Sequence, residues 1–236
     1  MRAAHGSTTP DAAAFKRSHG VRRLVTDADL PLDHVHVAPD DPCDRAVVVL
    51  HGRGANERDL LPVARELPPH HVVSLRAPEQ MGPGYTWYDL DLSDGGLHRS
   101  QPDPDGFRRS LDLVADAVDA AREAYGLETV GLLGFSQGAI ASLGLLLEAP
   151  DAYAWVAALH GYLAASHADR APAGVEGVPV FVGAGDDDEV IPPGRAAEAA
   201  ERLRAVGADV THRNYPTGHG VGRAELDDVV AFVSGR

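Results

Sequence analysis

Short apolar runs separated by amphipathic stripes fill most of this chain, and that alternation constrains its fold more than any other feature. The clearest run is Arg45-Ala46-Val47-Val48-Val49-Leu50-His51. It is apolar on both faces, as expected of a central strand covered by helices. Further strands are expected at 71–76, 129–135, 155–160 and 178–183. Residues 209–215 read as a more polar, edge-like strand, and 32–37 alternates as an antiparallel edge strand does. Apolar residues recur at helical spacing over 57–67, 107–125, 137–147, 194–206 and 220–233. The third of these segments is apolar nearly all round and is expected to be buried. Strands alternating with helices build a mainly parallel sheet flanked by helices on both faces, an α/β fold. Ligands bind such sheets outside the carboxyl ends of the strands, so the chemistry belongs in the loops that follow them.

The loop after the 129–135 strand reads Gly134-Phe135-Ser136-Gln137-Gly138. G-x-S-x-G between a buried strand and a buried helix meets both structural conditions for a nucleophile elbow. The turn is tight, so small residues are needed two positions before and after the serine. The hydroxyl of Ser136 is then expected at a helix N-terminus, where N–H groups and the helix dipole favour negative charge.

A serine hydroxyl needs a histidine to accept its proton, and the histidine needs an acid to hold its tautomer. After an elbow the chain order is serine, acid, histidine. Four histidines follow Ser136: His160, His167, His212 and His219. His160 ends a strand before any plausible acid loop, and His167 lies in a polar loop. His212 sits inside a strand pattern and is the main rival. His219, in Pro216-Thr217-Gly218-His219-Gly220, lies in a Gly-flanked loop between the last strand and the last helix, and is the expected base. The acid is expected in Gly185-Asp186-Asp187-Asp188-Glu189-Val190-Ile191-Pro192, and the residues alone leave open which aspartate serves. Two N–H donors are expected for the oxyanion of an acyl-transfer site. One is Gln137, after the nucleophile; the other is Arg53, in the loop His51-Gly52-Arg53-Gly54-Ala55-Asn56. His51 is expected to brace that loop through hydrogen bonds.

Composition narrows the partners. Asp and Glu outnumber Lys and Arg by 35 to 21 in 236 residues, a net charge of −14. Phosphate neutralisation needs clustered Lys and Arg, so nucleic acid is not expected as a partner, nor is stable membrane association. The single cysteine, Cys43, excludes an intrachain disulfide and a cysteine-based metal cluster. No metal is expected. No apolar run reaches the length of a membrane span, and no apolar stretch follows the N-terminal residues as in a signal peptide, so the cytoplasm is the expected compartment. Residues 1–20 read as a disordered tail ahead of one domain at 21–236.

Six segments occur together in one order: Leu50 to Gly54, Arg76-Ala77-Pro78, Tyr85 to Asp89, Gly134 to Ala139, Gly185 to Pro192, and Tyr215 to His219. Together they resemble the phospholipase/carboxylesterase family of α/β-hydrolases, which also contains the acyl-protein thioesterases. The resemblance covers about 45–235. It implies an α/β-hydrolase fold without a large lid and a Ser-His-Asp esterase that needs no cofactor. It selects Asp188, four residues before Pro192, as the acid. It implies that Trp87 and Tyr88 border the acyl pocket, core packing being the alternative, with Met81 and Leu90 as apolar wall. The position of His160 departs from the family, which usually has a small residue there. The substrate class implied is a small-molecule ester of short to medium acyl chain, with thioesters and lysophospholipids as alternatives, acted on by a monomer or homodimer. A non-catalytic binding protein of the same fold is the reading from another class, and it predicts loss of a triad member.

Overall fold

The structure, a computed structural model, describes residues 24–25 and 28–236; the tail expected over 1–20 lies outside them. In chain order the elements are β1 (Leu24–Val25), β2 (His34–Val37), β3 (Arg45–Leu50), α1 (Leu61–Ala64), β4 (His71–Leu75), β5 (Glu79–Met81), β6 (Gly84–Thr86), β7 (Leu90–Asp91), β8 (Gln101–Pro102), α2 (Pro104–Tyr125), β9 (Thr129–Phe135), α3 (Gln137–Glu148), β10 (Trp155–Leu159), β11 (Pro179–Gly185), α4 (Pro193–Ala205), β12 (Asp209–Tyr215) and α5 (Arg223–Ser234). Eight strands form one sheet in the order β1-β2-β4-β3-β9-β10-β11-β12. β1 and β2 are antiparallel to their neighbours, and the rest are parallel.

Side-chain alternation along the parallel strands builds two apolar layers. Val48, Leu50, Leu132, Val156 and Val180 face α2, α3 and α4. Val47, Val49, Leu133, Ala157 and Phe181 face α1 and α5. Eleven of the twelve α3 residues are buried, because this helix lies directly over the central strands. Each of the expected strands is present. The helix expected over 57–67 is reduced to the four residues of α1. Pro62 interrupts the pattern, and Pro68-Pro69 follows it. The helix expected from 107 starts at Pro104 instead, where Asp103 accepts the Gly106 N–H at 2.7 Å. Between β4 and α2, where Gly and Pro are dense over 77–84 and 92–106, the chain forms two small antiparallel pairs, β5–β6 and β7–β8.

Glu57, outside α1, turns inward and is buried. Arg76 meets it with two bonds, at 2.7 and 2.9 Å, and reaches Asp33 at 2.6 Å. The hydrogen bond from Arg76 outweighs burial and holds the Glu57 carboxyl below its ordinary range. This pair anchors the end of β4 to the loop after β3. Arg76→Leu leaves the buried Glu57 carboxylate with only the longer contact to Arg58, at 3.7 Å. We expect it to destabilise the fold by about 2 kcal/mol at neutral pH, short of the full cost of a broken buried pair because Arg76 keeps some solvent contact. Because the folded Glu57 is the stronger acid, its contribution is present above the unfolded-state value and lost as pH falls through the folded one. The gap between wild type and variant in chemical denaturation should therefore close in acid; a constant gap refutes the ion-pair account.

Candidate active site

The turn from β9 into α3 holds Ser136 at φ 53° and ψ −116°. A non-glycine residue in that region costs about 1–3 kcal/mol, so packing must enforce it. The two flanking glycines show how. A β-carbon on Gly134 lies 2.3 Å from the Gly138 carbonyl oxygen, and one on Gly138 lies 2.0 Å from that of Leu50. Both obstacles are backbone and cannot swing aside. Gly138→Ala is accordingly expected to open the elbow and remove activity while lowering the melting temperature. An active variant of unchanged stability overturns this account of the spacing.

Ser136 stands at the start of α3 without capping it, so its hydroxyl is free to face the loops beyond the sheet. His219, between β12 and α5, brings Nε2 to 2.9 Å from Ser136 Oγ. Its Nδ1 lies 2.7 Å from Asp188 Oδ2. A carboxylate only accepts, so Nδ1 carries the hydrogen, and Nε2 is left bare to accept from the serine. Asp188 Oδ1 accepts the N–H groups of Val190 and Ile191 at 2.9 and 2.8 Å. Burial by itself pushes the Asp188 carboxyl up, but the Ile191 N–H and the two histidines outweigh it and hold it below its ordinary range. The acid loop and the histidine loop are tied together by backbone bonds from Asp186 to Tyr215 and from Asp187 to Thr217. Asp186 and Asp187 are exposed; Asp188 is the buried member of the acidic run.

Gln137 is locked on every side. Its Oε1 accepts from Thr86 and the Trp87 N–H, its Nε2 donates to the Tyr88 carbonyl, and its own carbonyl accepts from the Tyr88 hydroxyl. The loop after β3 is held as firmly. His51 donates Nδ1–H to Gly52 O at 2.7 Å and accepts the Ala77 N–H at Nε2. Gly54 and Ala55 bond to Tyr85 of β6. Arg53 is exposed at the tip of this loop.

Two clefts meet at Ser136 and His219. One, of about 170 Å³, is walled by Leu90, Leu97, Ile140, Tyr162, Val190 and Ile191. The other, of about 490 Å³, is more open and runs between the Gly52–Asn56 loop, Pro83 and Phe135. Arg53 borders both. The expectation that Trp87, Tyr88 and Met81 line the acyl pocket is corrected here. Trp87 and Tyr88 are fully buried, with polar atoms spent on His51 O and Gln137 O. They brace the loops behind the cleft. Met81 sits on the β5–β6 hairpin and reaches neither cleft. Leu90 does wall the smaller one.

His212 lies on β12 and His167 bonds Glu148 and Ser166. His160 is the residue that sequence reasoning missed. Its Nδ1 lies 2.9 Å from Asp188 Oδ2, the oxygen that also meets His219, and its Nε2 lies 3.1 Å from Glu225. Strand register held the signal: Leu159 pairs with Phe135, which puts His160 beside Ser136. His160, Asp188 and His219 bring ligand-type atoms within 4.8 Å of one another. Both ring nitrogens converge on a single oxygen, so the trio is organised as a hydrogen-bond cluster.

Among the described residues no helix is long and apolar enough to cross a membrane. A putative hydrolase of Bacillus subtilis, MhqD, is 28% identical over 195 residues, covering 81% of this chain and 94% of that protein. Acyl-protein thioesterase 1 of Gibberella zeae is 28% identical over 186 residues, 74% of each chain. The crystal structure of a carboxylesterase from Mesorhizobium loti superposes with a TM-score of 0.76 at 23% identity, covering 91% of this chain and 99% of that one. The sequence profile of the phospholipase/carboxylesterase family matches residues 33–235. With its mostly parallel sheet and flanking helices, the chain belongs to that family of α/β-hydrolases and is an esterase-type hydrolase.

Proposed function

We propose that the protein hydrolyses carboxylic esters of short to medium acyl chain through an acyl-enzyme on Ser136, His219 and Asp188. The observation that carries this reading is the unbroken chain of bonds from the strained serine through His219, at 2.9 Å, to the buried Asp188, at 2.7 Å. Ser136 Oγ attacks the ester carbonyl while its proton moves to His219 Nε2. The carbonyl π electrons become an oxyanion, held by the N–H groups of Gln137 and Arg53. Asp188 supports the imidazolium. Collapse of the intermediate breaks the bond to the alcohol, which leaves with the proton from Nε2. Water then repeats the sequence on the acyl-enzyme, freeing the acid and restoring the serine.

The smaller, apolar cleft suits the acyl chain, and the open groove suits the leaving alcohol. Ile140 closes the apolar side from α3. Ile140→Ala lengthens that space and is expected to favour octanoate over butyrate by roughly tenfold in relative kcat/KM of p-nitrophenyl esters. An unchanged profile removes Ile140 from the acyl site. Thioesters are the second reading, favoured by the likeness to acyl-protein thioesterase 1; the same residues act on either carbonyl. A fluorophosphonate probe tests the shared chemistry: it should label the wild type at Ser136 and leave Ser136→Ala unlabelled. Labelling elsewhere, or none, removes the acyl-enzyme.

A further inference from the structure

Among the described non-glycine residues, two have positive φ: Ser136 and His160, both at 53°. They stand side by side past the ends of β9 and β10. The strain at the serine belongs to the elbow. The strain at His160 aims a buried imidazole between two buried carboxylates, Asp188 and Glu225. Glu225 comes from the first turn of α5, six residues after His219. It fits there because Gly183 on β11 has no side chain: a β-carbon would lie 2.1 Å from Glu225 Oε1.

The proton count of this cluster follows from donor and acceptor rules. Asp188 accepts at both oxygens, from Val190, Ile191, His219 and His160, and donates nowhere. His160 therefore carries a hydrogen on Nδ1. Its Nε2 faces Glu225 Oε2, and two lone pairs cannot share that space. One more proton must sit there, on Nε2 or on the Glu225 carboxyl. Either placement leaves the Nδ1–H aimed at Asp188. Among the described residues Glu225 Oε1 has no hydrogen-bond partner, so the carboxyl meets the cluster through Oε2 alone.

We propose that His160 and Glu225 are a proton-sharing positioning pair behind the triad: His160 donates to the oxygen that His219 uses, fixing the Asp188 carboxylate and tempering its pull on the His219 proton. The inference rests on the triad proposed above. Burial on its own lowers the pKa of His160, yet the bonds to Glu225 and Asp188 more than reverse this and raise it. The titratable groups facing His160 are Asp188 from the acid loop, Glu225 from α5 and His219 from its own loop; Phe135 packs beside it.

The test is nitrogen-15 NMR of the full chain with labelled histidine, together with pH profiles of ester hydrolysis. The wild type is expected to show His160 with its proton fixed on Nδ1 throughout the neutral range. Glu225→Gln supplies an amide N–H to Nε2 and should keep that signature. His160→Asn, which tolerates positive φ, loses the donor reaching between the carboxylates. Asp188 then draws the His219 proton more strongly, so the acidic limb of kcat/KM should move up by about one pH unit. kcat should also fall about tenfold at constant KM, as the carboxylate loses its support. A His160 that titrates as a solvated imidazole in the wild type overturns the proposal, as does a folded His160→Asn with the wild-type limb. If His160→Asn does not fold, the wild-type and Glu225→Gln spectra still decide. Full activity in Ser136→Ala would overturn the triad and leave the His160 spectrum unchanged, so the two failures are separable.

Discussion

Ser136→Ala is expected to lower kcat for ester hydrolysis by about 10⁴–10⁶-fold, with the fold intact. Among the described residues the hydroxyl bonds His219 Nε2 alone. Its removal leaves a nitrogen that borders the cleft and can take water, so no buried group is stranded. Alanine meets the same steric objection to φ 53° as serine does, and stability should hold within about 0.5 kcal/mol. A large activity loss with an unchanged melt separates chemistry from folding. Residual turnover of roughly 10³–10⁴ over water is expected to survive, since the N–H donors and the cleft remain. A folded variant above about one percent of wild-type kcat places the nucleophile elsewhere.

The fold was legible where its causes are local. The Val47–Leu50 run is apolar on both faces because two helical layers cover it. The elbow is legible because two backbone contacts demand glycine at fixed spacing around Ser136. Local signals fail where distant atoms decide. Trp87 and Tyr88 lie between the Gly/Pro-rich stretches 77–84 and 92–106, and the family resemblance implies that they border the acyl pocket. They are core residues because His51 O and Gln137 O, 36 and 49 positions away, complete their hydrogen bonds. The small antiparallel pairs have short polar strands, and β6 is held by the loop carrying Arg53, through Gly54 and Ala55. The Asp186–Asp188 run looks uniform, and the turn that buries only its third member depends on Val190 and Ile191 N–H groups. The His160–Glu225 contact spans 65 positions and follows only from strand register and the path of α5.

Asp188→Asn is expected to cost about 10⁴-fold in kcat, by a route that this site defines more tightly than an ordinary triad. Two N–H groups, from Val190 and Ile191, point at one oxygen of residue 188. An asparagine must keep its carbonyl there, because turning the amide around sets N–H against N–H. The NH₂ group is then forced toward His219 and His160 together. Both rings must present bare Nδ1 atoms, which moves the His219 hydrogen to Nε2. That nitrogen then faces Ser136 as a donor and cannot take its proton. KM should change little, since neither cleft gains or loses a wall. The loss should ease as pH rises far enough for hydroxide or a serine alkoxide to bypass the base. At His160, the hydrogen moved to Nε2 meets an ionised Glu225 well, so the buried pair accommodates the change and the variant should fold. Nitrogen-15 spectra with both rings shifted to the Nε2–H form, beside a large loss of kcat, are the expected result. Wild-type turnover in a folded Asp188→Asn variant means that Asp188 does not set the tautomer, and the acid must be sought elsewhere.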